Sequence, residues 1–330
     1  MKQLFQFVFL LVLIALSYAC SPVQSEGEVT PTLTPALPTN TLTPKGPLTG
    51  DGGGIVAFVS DRLGRIGEIF MMNADGSDLR QITRDKDFIV APAFSPSGDR
   101  IAYVSGREGG PEIYIVNVNE ALESIAGIKG TRLTNNPTSK QHLTWSPDGL
   151  HIAYSGQMGD VNGIWVVGSG GGTPELLWQS TNKIGEIDWS PDGLQIALSS
   201  KIGNKWIAQI LTITTGEIRS LTDNLVNTYA PRWSPDGKKI LYYSSEGGDY
   251  ELWVMTVDGS ERVQLTNNDI NDWWADWSPD GDKIVFCTMI GSEYLHEIQI
   301  INTDGSNQRR LTTHAADDWW PTFSPVPVSE

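Results

Sequence analysis

From Ile55 onward the chain alternates short apolar runs with polar breaks rich in Gly, Pro, Asp and Ser, and the breaks recur in a fixed wording. Four copies read Trp-Ser-Pro-Asp-Gly, beginning at Trp145, Trp189, Trp233 and Trp277. Phe94-Ser95-Pro96-Ser97-Gly98 is a variant and Phe323-Ser324-Pro325 a truncated sixth. From serine to serine the spacings are 51, 44, 44, 44 and 46 residues, and self-similarity at such a period marks a repeat architecture. A β-prone run follows the phrase, as in Ile101-Ala102-Tyr103-Val104-Ser105 and Ile240-Leu241-Tyr242-Tyr243-Ser244. Pro-Asp-Gly between two such runs is a tight turn. A third run, as in Glu251-Leu252-Trp253-Val254-Met255, is often closed by Asp-Gly, at Asp75-Gly76, Asp258-Gly259 and Asp304-Gly305, which marks a second hairpin. A fourth run ends in Leu-Thr or a relative, at Ile82-Thr83, Leu133-Thr134, Leu221-Thr222, Leu265-Thr266 and Leu311-Thr312. The pattern predicts four short strands per repeat, the content of one propeller blade.

The two ends of the repetitive region complement each other. Ile55-Val56-Ala57-Phe58-Val59-Ser60 matches the second run of a repeat with no Ser-Pro phrase before it, whereas Trp320-Pro321-Thr322-Phe323-Ser324-Pro325 matches a first run. The expected fold is all-β: a six-bladed β-propeller of four-stranded blades, its ring closed by the C-terminal strand joining the N-terminal blade, because closure removes exposed sheet edges. Six repeats of 44 residues would occupy 264, against the 270 from Ile55 to Ser324.

Composition then narrows the partners. The 330 residues carry 23 Lys plus Arg against 39 Asp plus Glu, a net charge of -16, so no basic surface is available for nucleic acid. Lys2 precedes an apolar run over residues 4–16, shorter than the roughly 20 residues a membrane-crossing helix needs and suited to an export signal. The run ends at Ser17-Tyr18-Ala19-Cys20, which resembles the lipobox of bacterial lipoproteins, with Ser17 standing where that motif usually carries Leu. The resemblance implies a lipid on Cys20, a membrane contact through it and an extracytoplasmic, anchored protein; an ordinary secretory peptide would leave the chain secreted or periplasmic. Residues 21–54 change to Pro and Thr with no aromatic residue and read as a tether. The expected organisation is a signal peptide at 1–19, lipidation site and tether at 20–54, and the propeller at 55–326. Cys287, beside Phe286 in a β-prone run, reads as a small buried hydrophobe.

The phrase Pro231-Arg232-Trp233-Ser234-Pro235-Asp236-Gly237-Lys238-Lys239-Ile240, with Glu251-Leu252-Trp253-Val254-Met255 and Asp258-Gly259 downstream, is similar to the WD-like repeat of TolB-type propellers. The resemblance covers the chain after Gly54 and implies the fold more than an activity. TolB proper is a periplasmic partner of the Tol-Pal envelope system and carries an α/β domain before its propeller. A tether occupies that place here, so Tol-Pal membership is not carried over. Similar blades accompany prolyl-oligopeptidase-like peptidases; the expectation here is a propeller without their hydrolase domain.

In a four-stranded meander the first-to-second and third-to-fourth turns fall on one face and all other connections on the opposite face. The second set varies between copies, and recognition usually sits on variable loops over a rigid scaffold. In register at the start of the innermost strands stand Val90-Ala91, Gln141-His142, Gly185-Glu186, Tyr229-Ala230, Trp273-Trp274 and Trp319-Trp320. Neighbouring residues of a strand point to opposite sides, so at most one Trp of each pair is expected to face a ligand while its partner packs between blades. Trp273, Trp274, Trp319 and Trp320 are candidate ligand contacts as an aromatic platform. Asp272, Asp318 and His142 are candidates for the polar contacts, with Tyr229 beside them. The expected partner is an envelope protein or a glycan. His142, His151, His296 and His314 show no metal-ligand spacing, the Asp-Gly turns lack the further oxygens and terminal Glu of a calcium loop, and the phrase serines have no elbow or paired base. No cofactor, metal or catalytic residue is assigned. The preferred reading is a non-enzymatic binding module of the cell envelope; the alternative is a polysaccharide-active lyase or hydrolase using His142 and carboxylates at the propeller mouth.

Overall fold

A computed structural model describes residues 48, 53–64, 66–223, 225–291 and 295–325. The signal peptide, Cys20 and almost all of the tether lie outside the described residues. Blade 1 combines Asp318–Phe323 with Ile55–Ser60, Glu68–Asn73 and Arg80–Gln81. Blades 2 to 6 follow in chain order, with innermost strands Ile89–Phe94, Leu143–Trp145, Ile184–Trp189, Thr228–Trp233 and Asp272–Trp277. Each innermost strand contacts the next, and the last contacts the first, so the six sheets form a closed ring.

The apolar runs are continuous rather than alternating because both faces of each blade are covered. All six residues of Ile55–Ser60 are buried. Val56 and Phe58 pack with Val285, Ile298 and Ile300 of blade 6, while Ile55, Ala57 and Val59 pack with Ile89, Ile101 and Tyr103 of blade 2. Leu48, within the stretch read as a tether, is also buried in this second cluster, so core packing begins ahead of Ile55.

The repeated phrase folds as its chemistry requires. In blade 3 the Ser146 hydroxyl donates to Asp148 Oδ1 at 2.5 Å and accepts the His151 N–H at 2.9 Å, while Asp148 Oδ1 accepts the Leu150 N–H. Gly149 takes φ 69°, where a side chain would be strained. The same bonds recur at Ser190, Ser234 and Ser278. In blade 2 Ser97 replaces the turn Asp, and Asp99 accepts from Ser95 instead, at 2.8 Å. The turn glycines also lie over the proline of the preceding blade, with room for a Cβ at Gly193 only 3.3 Å from Pro147. The 51-residue repeat places its additional residues around a helix, Val118–Glu123, capped by Asn117, whose side chain accepts the Glu120 N–H. Beyond it Ile128 pairs with Ile82 and Arg84, adding a bridge outside the last strand of blade 1.

Closure rests on the register Val56↔Phe323, Ala57↔Thr322, Val59↔Trp319 and Ser60↔Asp318. Arg62 fastens the seam: its Nη2 donates to both Asp318 oxygens at 2.9 and 3.0 Å, its Nε donates to Ser60 Oγ, and its guanidinium lies over the Phe58 and Phe70 rings. Asp318 is fully buried, and a buried charge stripped of its partner is costly. Arg62→Ala is therefore expected to lower stability by about 3–5 kcal/mol, measured by urea denaturation; a change below about 1 kcal/mol would remove this pair from the closure.

A second set of contacts links consecutive blades around the channel. In blades 3, 4 and 6 the side chain just before the phrase aromatic reaches a backbone N–H one blade ahead. Thr144 Oγ1 accepts from Trp189 at 3.2 Å, Asp188 Oδ2 from Trp233 at 2.8 Å, and Asp276 Oδ2 from Phe323 at 3.0 Å and from the Thr322 hydroxyl at 2.7 Å. Arg232 occupies this position in blade 5 and has no acceptor to offer. It approaches Asp188 Oδ1 at 3.4 Å instead, and the Trp277 N–H donates to Asp276 of its own blade. Burial pushes the Asp188 carboxyl up to about 6 despite the opposing pull of Arg232 and the Trp233 N–H, and burial likewise raises Asp276. A folded-state value above the unfolded one favours folding below the unfolded pKa, and that contribution is lost as pH rises through about 6. Relative to Asp188→Asn, the parent protein should gain thermal stability between pH 7 and pH 4.5; a melting difference that stays constant over that window contradicts this assignment.

Candidate functional site

The mouth of the channel is built on a backbone irregularity. In blades 2, 5 and 6 the pairing of first to second strand slips between Val90 and Ala93, Tyr229 and Arg232, and Trp273 and Asp276, and in blade 1 the equivalent slip lies between Ala57 and Val59. Each slip holds one residue in the left-handed region: Ala91 at φ 51°, Ala230 at 48°, Trp274 at 47° and Trp320 at 49°. Such a bulge breaks the alternation of side chains. For one of the two pairs the expectation that neighbouring tryptophans point to opposite sides is therefore corrected: the Trp273 and Trp274 rings lie 5.5 Å apart. Trp274 also meets Trp320 of the neighbouring blade at 5.0 Å. Bulky residues are outliers at positive φ, and two of them touching across a blade boundary is a specific arrangement.

These contacts extend an aromatic chain over four blades. Trp206 meets Tyr229 at 5.8 Å, Tyr229 meets Tyr243 at 5.3 Å and Tyr250 at 5.8 Å, and Tyr250 meets Trp273 at 6.0 Å. His296 lies 5.7 Å from both Trp273 and Trp274, its Nδ1 2.7 Å from Asp317 Oδ1. Trp273, Trp274, Trp319 and Trp320 are all half-buried. Trp319 turns into its own blade, where a Cβ on Gly67 would fall 2.9 Å from its ring. Tyr229 is buried, 9% exposed, and supports the chain from below rather than presenting a face.

The polar candidates stand apart from this surface. Asp272 and Asp318 are fully buried, so neither is a surface contact for a ligand. Asp272 accepts from the Thr288 hydroxyl at 2.5 Å and from Asn268 Nδ2 at 2.9 Å, and burial raises its pKa against those bonds. Asp318 is held by Arg62. The reason is topological: each acid starts an innermost strand and turns into its own blade. His142 lies on blade 3 with its Nε2 3.9 Å from Glu186 Oε1 of blade 4, and burial lowers its pKa while Glu186 opposes the shift. The aromatic contacts run through blades 4, 5, 6 and 1 and do not include it. Among the described residues no group of three or more His, Cys, Asp or Glu is placed to hold a metal ion. Tyr243, Tyr250, Trp206 and His296 were missed in the sequence because they come from second and third strands or, for Tyr250, from the residue just ahead of one. Their common signal was position, at the outer ends of those strands on the face of the variable loops.

The chain matches the family model described as the TolB beta propeller domain over residues 87–227 and 173–325. Among curated proteins it is similar to the Tol-Pal system protein TolB of Jannaschia sp. (strain CCS1), 36% identical over 77 residues, which are 22% of this chain and 17% of that protein. The Tol-Pal system protein TolB of Alcanivorax borkumensis is 38% identical over 86 residues, 24% of this chain and 17% of that protein. The matched segments thus span about a sixth of those relatives' length. Among solved structures, TolB from Acinetobacter baumannii superposes with a TM-score of 0.70 at 21% identity, covering 83% of this chain and 67% of that one. A putative TolB from Agrobacterium tumefaciens gives 0.64 at 22% identity, covering 83% and 99%. These likenesses agree with the six-bladed fold, and the family match extends over most of the chain. The protein belongs to the TolB beta propeller domain family.

Proposed function

We propose that this chain is an exported interaction module of the cell envelope that binds a protein partner through the aromatic mouth of its propeller. The supporting observation is the Trp274–Trp320 contact: two half-exposed indoles from adjacent blades, each kept in a left-handed backbone conformation. Aromatic anchors in a rigid setting are the residues that dominate protein interfaces. The names of the curated relatives, Tol-Pal system proteins, favour a protein over a glycan as the occupant. With Asp272 and Asp318 buried, the proposed contact set reduces to Trp273, Trp274, Trp320 and His296, with Trp319 and Tyr229 as support. Export by residues 1–19, a lipid on Cys20 and a linker reaching into residues 20–54 complete the proposal, the propeller occupying 55–326. The net charge of -16 favours a partner with a basic contact surface.

Glycine suits a left-handed position and removes the ring at the same time. The double variant Trp274→Gly/Trp320→Gly should therefore remain folded by circular dichroism and lose at least about 30-fold in affinity for a protein cross-linked to the parent in envelope fractions. Equal capture by the folded double variant would reject the mouth as the binding surface; capture of labelled glycans in place of protein would reject the partner class. For the anchor, the parent protein is expected to incorporate labelled palmitate and Cys20→Ala to incorporate none. Equal labelling of both, or labelling of neither, removes the lipid from the proposal.

A further inference from the structure

The positions that ring the mouth are unlike from blade to blade. In register with Trp320 of blade 1 and Trp274 of blade 6 stand Ala91, His142, Glu186 and Ala230 of blades 2 to 5. Blades 3 and 4 lie opposite blades 6 and 1 in the closed ring. A His–Glu pair therefore stands across the mouth from the tryptophan pair, with one alanine between them on either side.

Glu186 is held in place but not neutralised. Its N–H donates to Ser199 Oγ at 3.1 Å, and its Oε2 accepts from the Ser199 hydroxyl at 2.6 Å. Its Oε1 has one neighbour, His142 Nε2 at 3.9 Å, which is beyond hydrogen-bond length. Burial lowers the His142 pKa against the pull of Glu186, so the imidazole is neutral at pH 7. The residue is 9% exposed, yet Oε1 is not sealed off, and an incoming donor can reach it. Two residues further along the innermost strands, Asp188 and Asp276 line the channel with Arg232 between them, and Arg232 comes no nearer Asp188 than 3.4 Å. Three carboxylates thus share one guanidinium. Aromatic rings stand beside them. Trp206, half-buried, lies over Gly185, where a Cβ would fall 3.1 Å from its ring, and meets Tyr229 at 5.8 Å.

We infer that the mouth receives an arginine side chain of the protein partner, its guanidinium donating to Glu186 Oε1 and its stem lying along Trp206; this rests on the reading of the mouth as the binding surface. The guanidinium supplies the positive charge that the channel lacks and the donor that Oε1 lacks. Bonds between ionised groups are the strong ones, and Arg sheds water more readily than Lys and stacks on aromatic faces. An acidic side chain entering here would meet Glu186, Asp188 and Asp276 at once. The Trp274–Trp320 pair on the far side is left for the apolar neighbours of the arginine.

The probes are acetyl-Gly-Arg-Gly-amide and its citrulline counterpart, which has the same length and no charge. Each is titrated into the purified protein and followed by tryptophan fluorescence and chemical-shift NMR. The arginine peptide is expected to saturate below about 10 mM and to bind at least about tenfold more tightly than the citrulline peptide. Glu186→Gln, whose amide oxygen can still accept from Ser199, should bind both peptides equally; thermal melting checks its fold. No saturable binding of the arginine peptide, equal binding of both peptides by the parent, or a preference that survives in folded Glu186→Gln overturns the inference. The two-peptide comparison on the parent decides without any variant. Capture from envelope fractions separates this inference from the reading beneath it. Capture lost in Trp274→Gly/Trp320→Gly but complete in Glu186→Gln overturns the arginine contact and keeps the mouth, whereas capture that survives the tryptophan variant overturns the mouth itself.

Discussion

A ring of twisted sheets is stable only if its two chain ends are bound to each other as firmly as any two neighbouring strands. In this molecule that requirement falls on the pairing of Asp318–Phe323 with Ile55–Ser60. Hydrogen bonds of the ladder alone would leave the seam no stronger than a frayed terminus. The reinforcement comes from side chains that join residues more than 250 positions apart: Arg62 with Asp318, and Asp61, whose carboxylate accepts the Asp317 N–H. Asp276 adds a hold from the blade on the other side by accepting from Thr322 and Phe323. The seam therefore belongs to three layers of contact, in the ladder, above it and along the channel.

The mouth is shaped beside this fastening. Between Asp318, which turns inward to meet Arg62, and Thr322, which pairs with Ala57, the strand carries the bulge it shares with blades 2, 5 and 6. Trp320 meets Trp274 of the neighbouring blade while it also packs against the cluster between blades 1 and 2. The acid and the tryptophans of the Asp-Trp-Trp segments thus divide the work: the acid anchors the strand, and the rings form a surface. Asp272 plays the same anchoring part in blade 6 through Thr288 and Asn268. A feature with the look of a polar and aromatic recognition motif is, in its polar half, a structural device.

How much of this could be read beforehand follows from the range of each interaction. Blade count, closure and turns were legible because Ser-Pro-Asp-Gly is a local arrangement: Ser146 and Asp148 bond within five residues, and repetition at 44-residue spacing multiplies the signal. The burial of Asp272 and Asp318 was not, since their partners Thr288 and Arg62 are set by the sheet and the ring. The bulge did leave a trace. Pro92, Pro231 and Pro321 follow Ala91, Ala230 and Trp320 in three of the innermost strands, and proline inside a strand is confined to edges and bulges. Read together, those prolines contradict a regular alternation at Trp319-Trp320 and, by the repeat, at Trp273-Trp274.

The rim around the mouth is uneven, and that unevenness bears on how a partner reaches the rings. In blades 2 to 6 the second strand begins five residues after the phrase serine, but the strands run for eight residues in blades 3, 4 and 6, as in His151–Met158, Gln195–Ile202 and Lys283–Ile290. They run for only six in blades 1, 2 and 5, as in Ile55–Ser60, Arg100–Ser105 and Lys239–Ser244. Two additional residues raise a hairpin by roughly 7 Å. Blade 5 is thus a low point between the taller blades 4 and 6, and blades 1 and 2 form another low stretch opposite. The aromatic chain runs from Tyr229 and Tyr250 of blade 5 through Trp273 and Trp274 to Trp320 of blade 1, from one low point toward the other. The rings therefore pass from one low blade to another through the taller blade 6, whose third strand supplies His296 to Trp273 and Trp274, so a partner segment reaching Trp274 and Trp320 from blade 5 has to pass that hairpin.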